Sequence, residues 1–138
     1  MLLPAVVPET GPYAGRAAHW VGVEPEIGTA ARGVAAGFYL ALVTAECLSL
    51  IGHRGPIVVE GPFARNTSYR HMLHAATGAP VEVSESATGT SQGAALLAAD
   101  QRVARTSVAA QGVSDSAMLD RMELYAHRWR AATAQPAP

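Results

Sequence analysis

Apolar positions recur along this chain in two rhythms, and the switches between them mark its elements. From Thr29 to about Ile51, the residues Val34, Phe38, Leu42, Ala45 and Leu48 fall three or four apart and form one helical stripe. Thr29 is placed to cap the start of this helix and Gly52 to take the left-handed position after its last turn. Gly33 and Gly37 lie inside it, where each costs about 1 kcal/mol against alanine; close packing against another element is the expected reason for both. The rhythm changes at Pro56-Ile57-Val58-Val59-Glu60, a β-branched run bounded by Gly55 and by Gly61-Pro62. Its unbroken apolar character predicts a strand buried on both faces, hence a parallel one. A second helix is expected over about Thr67 to Thr77, with Tyr69, Met72, Leu73 and Ala76 facing inward and Gly78 ending it. A short strand follows at Pro80–Val83. Strand, helix, strand in this order is a right-handed parallel crossover. Two further helices are predicted. One runs from Gly89 to about Val103 with small residues on one face. The other runs from about Asp115 to Arg130 with Met118, Met122, Tyr125 and Trp129 along one side.

Turn chemistry dominates the opening of the chain: Pro4, Pro8, Gly11-Pro12, Gly15, Gly22, Pro25 and Gly28 leave room only for a short strand at Ala5–Val7 or Trp20–Val23. So long an irregular stretch is expected to lean on something, or to mark a chain that begins inside a larger protein. The organisation read from the pattern is a Pro/Gly-rich lead-in over 1–28, a main unit over 29–105, a linker and helix over 106–134, and a tail over 135–138. The fold class is α/β, helix-rich and short of strands. Two convincing strands cannot give four helices a sheet to cover. The missing strands are expected from the lead-in, from a second copy of the chain in a homodimer, or from polypeptide outside this sequence.

Composition narrows the chemistry. The 138 residues are 49% hydrophobic and 15% charged with a net charge of -1, which describes a globular chain and gives no electrostatic footprint for nucleic acid or an anionic membrane. All ten basic residues are arginine. With no lysine, a P-loop ATP site, a Schiff base and a lysine general base are excluded. The single Cys47 rules out an internal disulfide and a zinc-ribbon or iron–sulfur set, and points to a reducing compartment, the cytoplasm. No signal peptide opens the chain. The longest uncharged apolar stretch, Gly33 to Ala45, is shorter than the ~20 residues a bilayer crossing needs.

The most informative stretch is Val58-Val59-Glu60-Gly61-Pro62-Phe63-Ala64-Arg65-Asn66. In open α/β sheets, ligands sit outside the carboxyl ends of the strands. Gly61 would let a flat ligand approach the backbone with no Cβ in the way. The following helix offers unpaired N–H groups at its start, and the Asn66 amide can both donate to and accept from a heterocycle or ribose. Equally physical is a plain Gly61-Pro62 turn with Asn66 as the N-cap of its helix.

Four blocks carry a resemblance: Gly61-Pro62-Phe63-Ala64-Arg65-Asn66, Met72-Leu73, Thr77-Gly78-Ala79-Pro80-Val81, and Ala87-Thr88-Gly89-Thr90-Ser91-Gln92-Gly93-Ala94-Ala95-Leu96-Leu97-Ala98. In order and spacing, and with the preceding helix Ala35–Leu42, they resemble the C-terminal domain of the FGGY carbohydrate kinases over roughly residues 10–105. The resemblance implies an actin-like, ribonuclease-H-like ATPase fold whose C-terminal domain holds the nucleotide. It also implies ATP and Mg2+ as cofactors, and transfer of the γ-phosphoryl group to a sugar or polyol hydroxyl. In that family a Gly-Gly turn lies against the adenosine, and an Asn four residues after the second Gly completes the contact. Carried over, these positions are Gly61, Pro62 and Asn66. The chain departs from the pattern at Pro62, which has no N–H and a fixed φ. The family's Asp base, sugar-binding residues and phosphate loops lie in the portion before this chain's Met1, so no catalytic residue is assigned. The isolated chain is expected to be inactive without an N-terminal kinase domain or upstream segment.

Two other functions compete. One is a non-catalytic remnant, a nucleotide-binding or assembly module, motivated by Pro62 and the missing base. The other is a serine hydrolase: Gly89-Thr90-Ser91-Gln92-Gly93 fits G-x-S-x-G, with Asp115 or Asp120 and then His127 following. Against it, Ser84 to Thr88 separate the strand from Gly89, where a nucleophile elbow needs the Ser at a sharp strand end. Asp100, Asp115 and Asp120 read as solvated helix charges, with Asp115 or Ser114 an N-cap. His71 and His74 share a helix face, but no third metal ligand sits at telling spacing. Arg128 and Arg130 read as charges matching the C-terminal dipole of their own helix.

Overall fold

The computed structural model describes residues 1–84, 93–95, 97, 107–110, 112, 113 and 115–134. Their elements are β1 (Leu2–Leu3), β2 (His19–Trp20), α1 (Ala30–Leu50), β3 (Ile57–Val59), a 3-10 turn (Gly61–Arg65), α2 (Thr67–Thr77), β4 (Val81–Ser84), β5 (Ser107–Ala109) and α3 (Ser116–Ala134). The architecture is mixed α/β, with helices around two small sheets. β3 and β4 run parallel, Ile57 opposite Val81 and Val59 opposite Val83. β5 adds antiparallel to the far side of β4. Of the helix expected over Gly89–Val103, the described residues 93–95 and 97 are helical; the rest of it, Ser91 and the tail 135–138 lie outside the described residues.

Local chemistry sets the element ends. The Thr29 hydroxyl accepts from the Arg32 N–H at 3.3 Å, and Gly52 takes φ +67° beyond α1. Gly78, at the same φ, ends α2 by donating its N–H to the His74 carbonyl at 2.7 Å. The His74 ring nitrogen Nδ1 lies 2.9 Å from the Ala79 carbonyl, which closes the α2–β4 loop. Asp115 caps α3 through Oδ1, which accepts from the Ala117 N–H at 2.9 Å.

The core is centred on α2, which packs against α1, α3 and β4. Leu42, Met72, Leu73 and Trp129 are its largest fully buried side chains, with Ile57, Val59, Val81 and Met122 beside them. Trp129 also fastens the opening segment. Its indole N–H donates to the Leu2 carbonyl at 2.8 Å, and its ring meets Tyr13 edge-on at 5.6 Å. The Arg16 guanidinium donates to the Thr133 carbonyl further along α3. The lead-in therefore leans on the last helix of its own chain.

Several expectations are corrected. Ala5–Val7 is not a strand: Val6 and Val7 are exposed, and the Val6 N–H donates to the Tyr39 hydroxyl at 3.0 Å. The strands of the lead-in are instead β1 and β2, with Leu2 opposite Trp20. β3 is buried on one face only, because no described element covers the face that carries Val58, which is 41% exposed. A third strand, β5, joins the sheet. On α1 the stripe begins later than expected: Val34 is exposed, and Gly37, Tyr39, Ala41, Leu42 and Ala45 are buried. Gly33 packs against nothing within 4 Å, whereas a Cβ on Gly37 would sit 3.5 Å from the Asn66 amide. Met118 lies on the solvent side of its stripe. Arg130 serves other helices than its own. Its Nε meets Glu46 of α1 at 2.6 Å, and its Nη2 donates to the Ala76 carbonyl at the end of α2 at 2.9 Å.

The 21 residues of α1 are long and apolar enough to cross a membrane by length and composition, yet Ala41, Leu42 and Ala45 on this helix are buried in the core.

Candidate functional site

Gly61, Pro62 and Asn66 come together at the carboxyl end of β3. The strand ends at Val59, and Gly61 takes φ +69°, a conformation that costs an L-residue about 1–2 kcal/mol. A Cβ there would meet nothing within 4 Å, so the backbone turn and not crowding demands the glycine, and the surface above it is open. Pro62 stands in the first positions of the 3-10 turn, where its missing N–H would have no partner within the helix and its φ suits the turn. Phe63 follows, 42% exposed, its ring tilted at 48° against Tyr69 with centroids 5.0 Å apart.

Asn66 joins the 3-10 turn to α2. Its N–H donates to the Phe63 carbonyl at 3.0 Å, and its carbonyl accepts from the Arg70 N–H at 3.1 Å. Its side-chain Oδ1 accepts from the Tyr69 N–H at 3.0 Å, which makes it the N-cap of α2. The amide rests on Gly37 of α1, so the glycine brings the two helices close at this point. The Tyr69 hydroxyl donates across the same junction to Thr44 Oγ1 at 3.1 Å. The cap uses only the acceptor half of the Asn66 amide. Among the described residues its Nδ2 donor has no hydrogen-bond partner. The cap and ligand readings of Asn66 therefore concern different atoms and coexist.

Phe63 and Arg70 also stand out at this junction, and neither is assigned a role by the sequence pattern. An aromatic between Gly61 and Asn66 was the available signal for the first. For Arg70, one turn into α2, no sequence signal distinguishes it from a surface arginine. Its Nη2 donates to Thr67 Oγ1 at 3.4 Å, while its Nε is buried without a partner among the described residues.

A cleft of about 410 Å3 lies at the opposite pole, between the C-terminal ends of α1 and α2, lined by Leu48, His53, Arg54, Thr77 and Arg130 among others. Its volume suits a small ligand. The turn is nonetheless the better candidate: Arg130 in the cleft is already committed to Glu46 and the Ala76 carbonyl, and two helix C-termini end there. The remaining sequence candidates stay apart. No hydrogen bond or ion pair among the described residues joins exposed His127 to Asp115 or Asp120, and Asp115 is a helix cap. The described residues contain no group of three or more His, Cys, Asp or Glu that could hold a metal ion.

The profile of the carbohydrate kinase FGGY C-terminal domain matches residues 1–107. The chain belongs to the FGGY carbohydrate kinase family. Among solved structures, a carbohydrate kinase from Novosphingobium aromaticivorans is similar, with a TM-score of 0.74 and 28% sequence identity. The likeness covers 97% of this chain and 28% of that kinase, so the chain spans little more than a quarter of that protein's length. No curated protein matches the chain. The family match ends before α3, although Trp129 of that helix is fully buried in the core.

Proposed function

We propose that this FGGY chain is the nucleotide-holding portion of an ATP-dependent carbohydrate kinase. In this reading the ATP base and ribose lie at the Gly61–Asn66 turn, and the domain forms part of an actin-like, ribonuclease-H-like fold. The observation that carries it is the divided use of the Asn66 amide: Oδ1 is fixed in the α2 cap, which leaves Nδ2 without a hydrogen-bond partner among the described residues, on the connection that follows the carboxyl end of a parallel strand. A Cβ at Gly61 would meet nothing within 4 Å, so the backbone there is open to a flat ligand. Pro62 adds an apolar ring in place of an N–H, and Asn66 donates to an acceptor nitrogen or oxygen of the nucleotide.

Phosphoryl transfer works by positioning and by electrostatic stabilisation, with a carboxylate taking the acceptor proton. No described residue stands in that role, and the described residues offer Mg2+ no ligand set. No step is therefore assigned to the ion here. In this proposal the base, the sugar or polyol site and the metal's protein ligands belong to the rest of the kinase. Exposed apolar side chains on α1 and just after it, Val34, Leu40, Leu50 and Ile51, leave surface for such a partner. A cytoplasmic setting agrees with the exposed free thiol of Cys47. The second reading, a nucleotide-binding or assembly module without turnover, is favoured by Pro62, whose place in the turn offers a ligand no backbone donor.

The test is calorimetric titration of ATP into the wild-type chain and into Asn66→Asp and Asn66→Ala. Asn66→Asp keeps the capping oxygen and removes the donor. It should bind ATP at least about tenfold more weakly, with an unfolding midpoint close to wild type. Asn66→Ala loses the cap as well and should also lose about 1 kcal/mol of stability. If Asn66→Asp binds ATP as tightly as wild type, the site assignment is wrong. If the wild-type chain binds no nucleotide, the assembly reading replaces it.

A further inference from the structure

We infer that the cleft between the C-terminal ends of α1 and α2 is a second site, one that takes a small monocarboxylate with a short hydrocarbon chain. The cleft, of about 410 Å3, is lined by groups of two kinds. Ala45 and Leu48 of α1, Ala76 of α2 and Pro80 just before β4 supply apolar surface, and Arg54 and Arg130 supply guanidinium groups. Charge selects among the ligands such a surface could take. Arg130 is neutralised: its Nε meets Glu46 at 2.6 Å, and its Nη2 donates to the Ala76 carbonyl at 2.9 Å. Arg54, on the loop between α1 and β3, is exposed, and among the described residues no hydrogen bond or ion pair engages its guanidinium. Of the two arginines, Arg54 is therefore the one available to a ligand, and its planar fork matches the two oxygens of a carboxylate.

The helix ends fix the charge of that ligand. α1 and α2 both end beside the cleft, and each C-terminus disfavours a negative charge by about two- to fivefold in affinity. Their last carbonyls are partly occupied: that of Leu48 accepts from the His53 N–H at 2.9 Å, and that of His74 from the Gly78 N–H at 2.7 Å. A carboxylate held by two charge-assisted hydrogen bonds from Arg54, each worth about tenfold or more, recovers more than both ends take. A second negative charge would meet the same cost with Arg130 already engaged. The features that make the cleft a poor place for a nucleotide thus favour a singly charged acid. Ala45, Leu48, Ala76 and Pro80 receive its hydrocarbon chain, and each buried CH2 adds about fourfold.

The experiment titrates isovalerate, isovaleramide, acetate and inorganic phosphate into the wild-type chain, Arg54→Gln and Ser49→Phe. Amide NMR shifts at the cleft residues report binding, and thermal melting checks the fold. Ser49 lines the cleft and is exposed, so Ser49→Phe fills the space without entering the core. Isovalerate is expected to bind wild type at about 1 mM, at least about tenfold tighter than acetate and tighter than phosphate. Isovaleramide has the same shape without the charge and should bind about tenfold more weakly than the acid. Arg54→Gln should weaken isovalerate about tenfold, and Ser49→Phe should abolish its binding, with both variants melting as wild type does. Isovaleramide as tight as isovalerate, or Arg54→Gln as tight as wild type, would overturn the inference. So would phosphate bound tighter than isovalerate, or cleft residues unshifted at about 50 mM isovalerate. ATP binding at the Gly61–Asn66 turn stands apart from every one of these outcomes, because no residue of that turn lines the cleft.

Discussion

Replacing Trp129 tests whether α3, which lies beyond the family match, is a structural part of this domain. Trp129 is completely buried, its ring meets Tyr13 edge-on, and its N–H is bonded to the Leu2 carbonyl. Trp129→Ala removes the transfer free energy of the indole and leaves a cavity between α3 and the lead-in, a loss of about 3–5 kcal/mol. A domain of this size has about 5–15 kcal/mol in total, so the variant should unfold at a markedly lower urea concentration. Trp129→Phe keeps most of the apolar volume but strands the Leu2 carbonyl, at a cost of about 1–2 kcal/mol. Urea unfolding followed by far-UV circular dichroism separates the two. A chain ending at residue 107 should show no cooperative transition, because the core loses Met122, Ala126 and Trp129 together. A Trp129→Ala midpoint equivalent to wild type within about 0.5 kcal/mol would refute the reasoning, and α3 would then be an appendage.

Two further outcomes follow from positions away from the site. Gly33 sits in α1 at an ordinary helical φ with open space around it. Gly33→Ala should therefore stabilise the chain by up to about 1 kcal/mol and raise the melting temperature by about 4 °C; a lower melting temperature would show that something packs there. Burial raises the Tyr13 phenol above the ordinary 10.0, against the opposing hydrogen bond with Thr133, and burial raises Tyr125 in the same direction. A raised phenol pKa contributes stability that is fully present below pH 10 and is lost as pH climbs through the folded-state value. The urea midpoint should thus fall above pH 10. The Tyr13→Phe, Tyr125→Phe double variant should lose its share of that fall, and an unchanged alkaline slope would exclude these phenols as the cause.

The elements with local signals were legible in the sequence. Thr29 and Gly52 bracket α1, and α2 runs over Thr67–Thr77 with Asn66 before it and Gly78 after it. β3 and β4 pair in parallel as the strand–helix–strand order requires. What escaped was set by tertiary context. β1 and β2 are two residues each and β5 three, too short to carry a period of two. Val58 reads as buried in a run of three β-branched residues, but burial depends on what covers the sheet, which the run does not encode. Arg130 looked like a charge for its own helix because sequence spacing does not show that Glu46 and Ala76 lie within its reach. At the site, the cap at Asn66 and the turn at Gly61 could be proposed from residue types. The division of the Asn66 amide between cap and free donor could not, because it requires the position of the Tyr69 N–H.

Pro62 is compatible with the proposed nucleotide site. A residue in the first turn of a helix leaves its N–H without a partner inside that helix. Substituting proline there costs the fold nothing, and its fixed φ favours the turn. The cost falls entirely on whatever ligand would have used that donor. The helix behind the turn is unaffected, because Asn66 and not residue 62 caps α2, and Gly61 still provides the reversal at φ +69°. The structural demands on this loop are carried by separate atoms, backbone conformation by Gly61 and Pro62 and capping by Asn66 Oδ1, which leaves Asn66 Nδ2 for the ligand of the proposed function. Separability of this kind makes Asn66→Asp informative, since it removes the Nδ2 donor while leaving the capping oxygen in place.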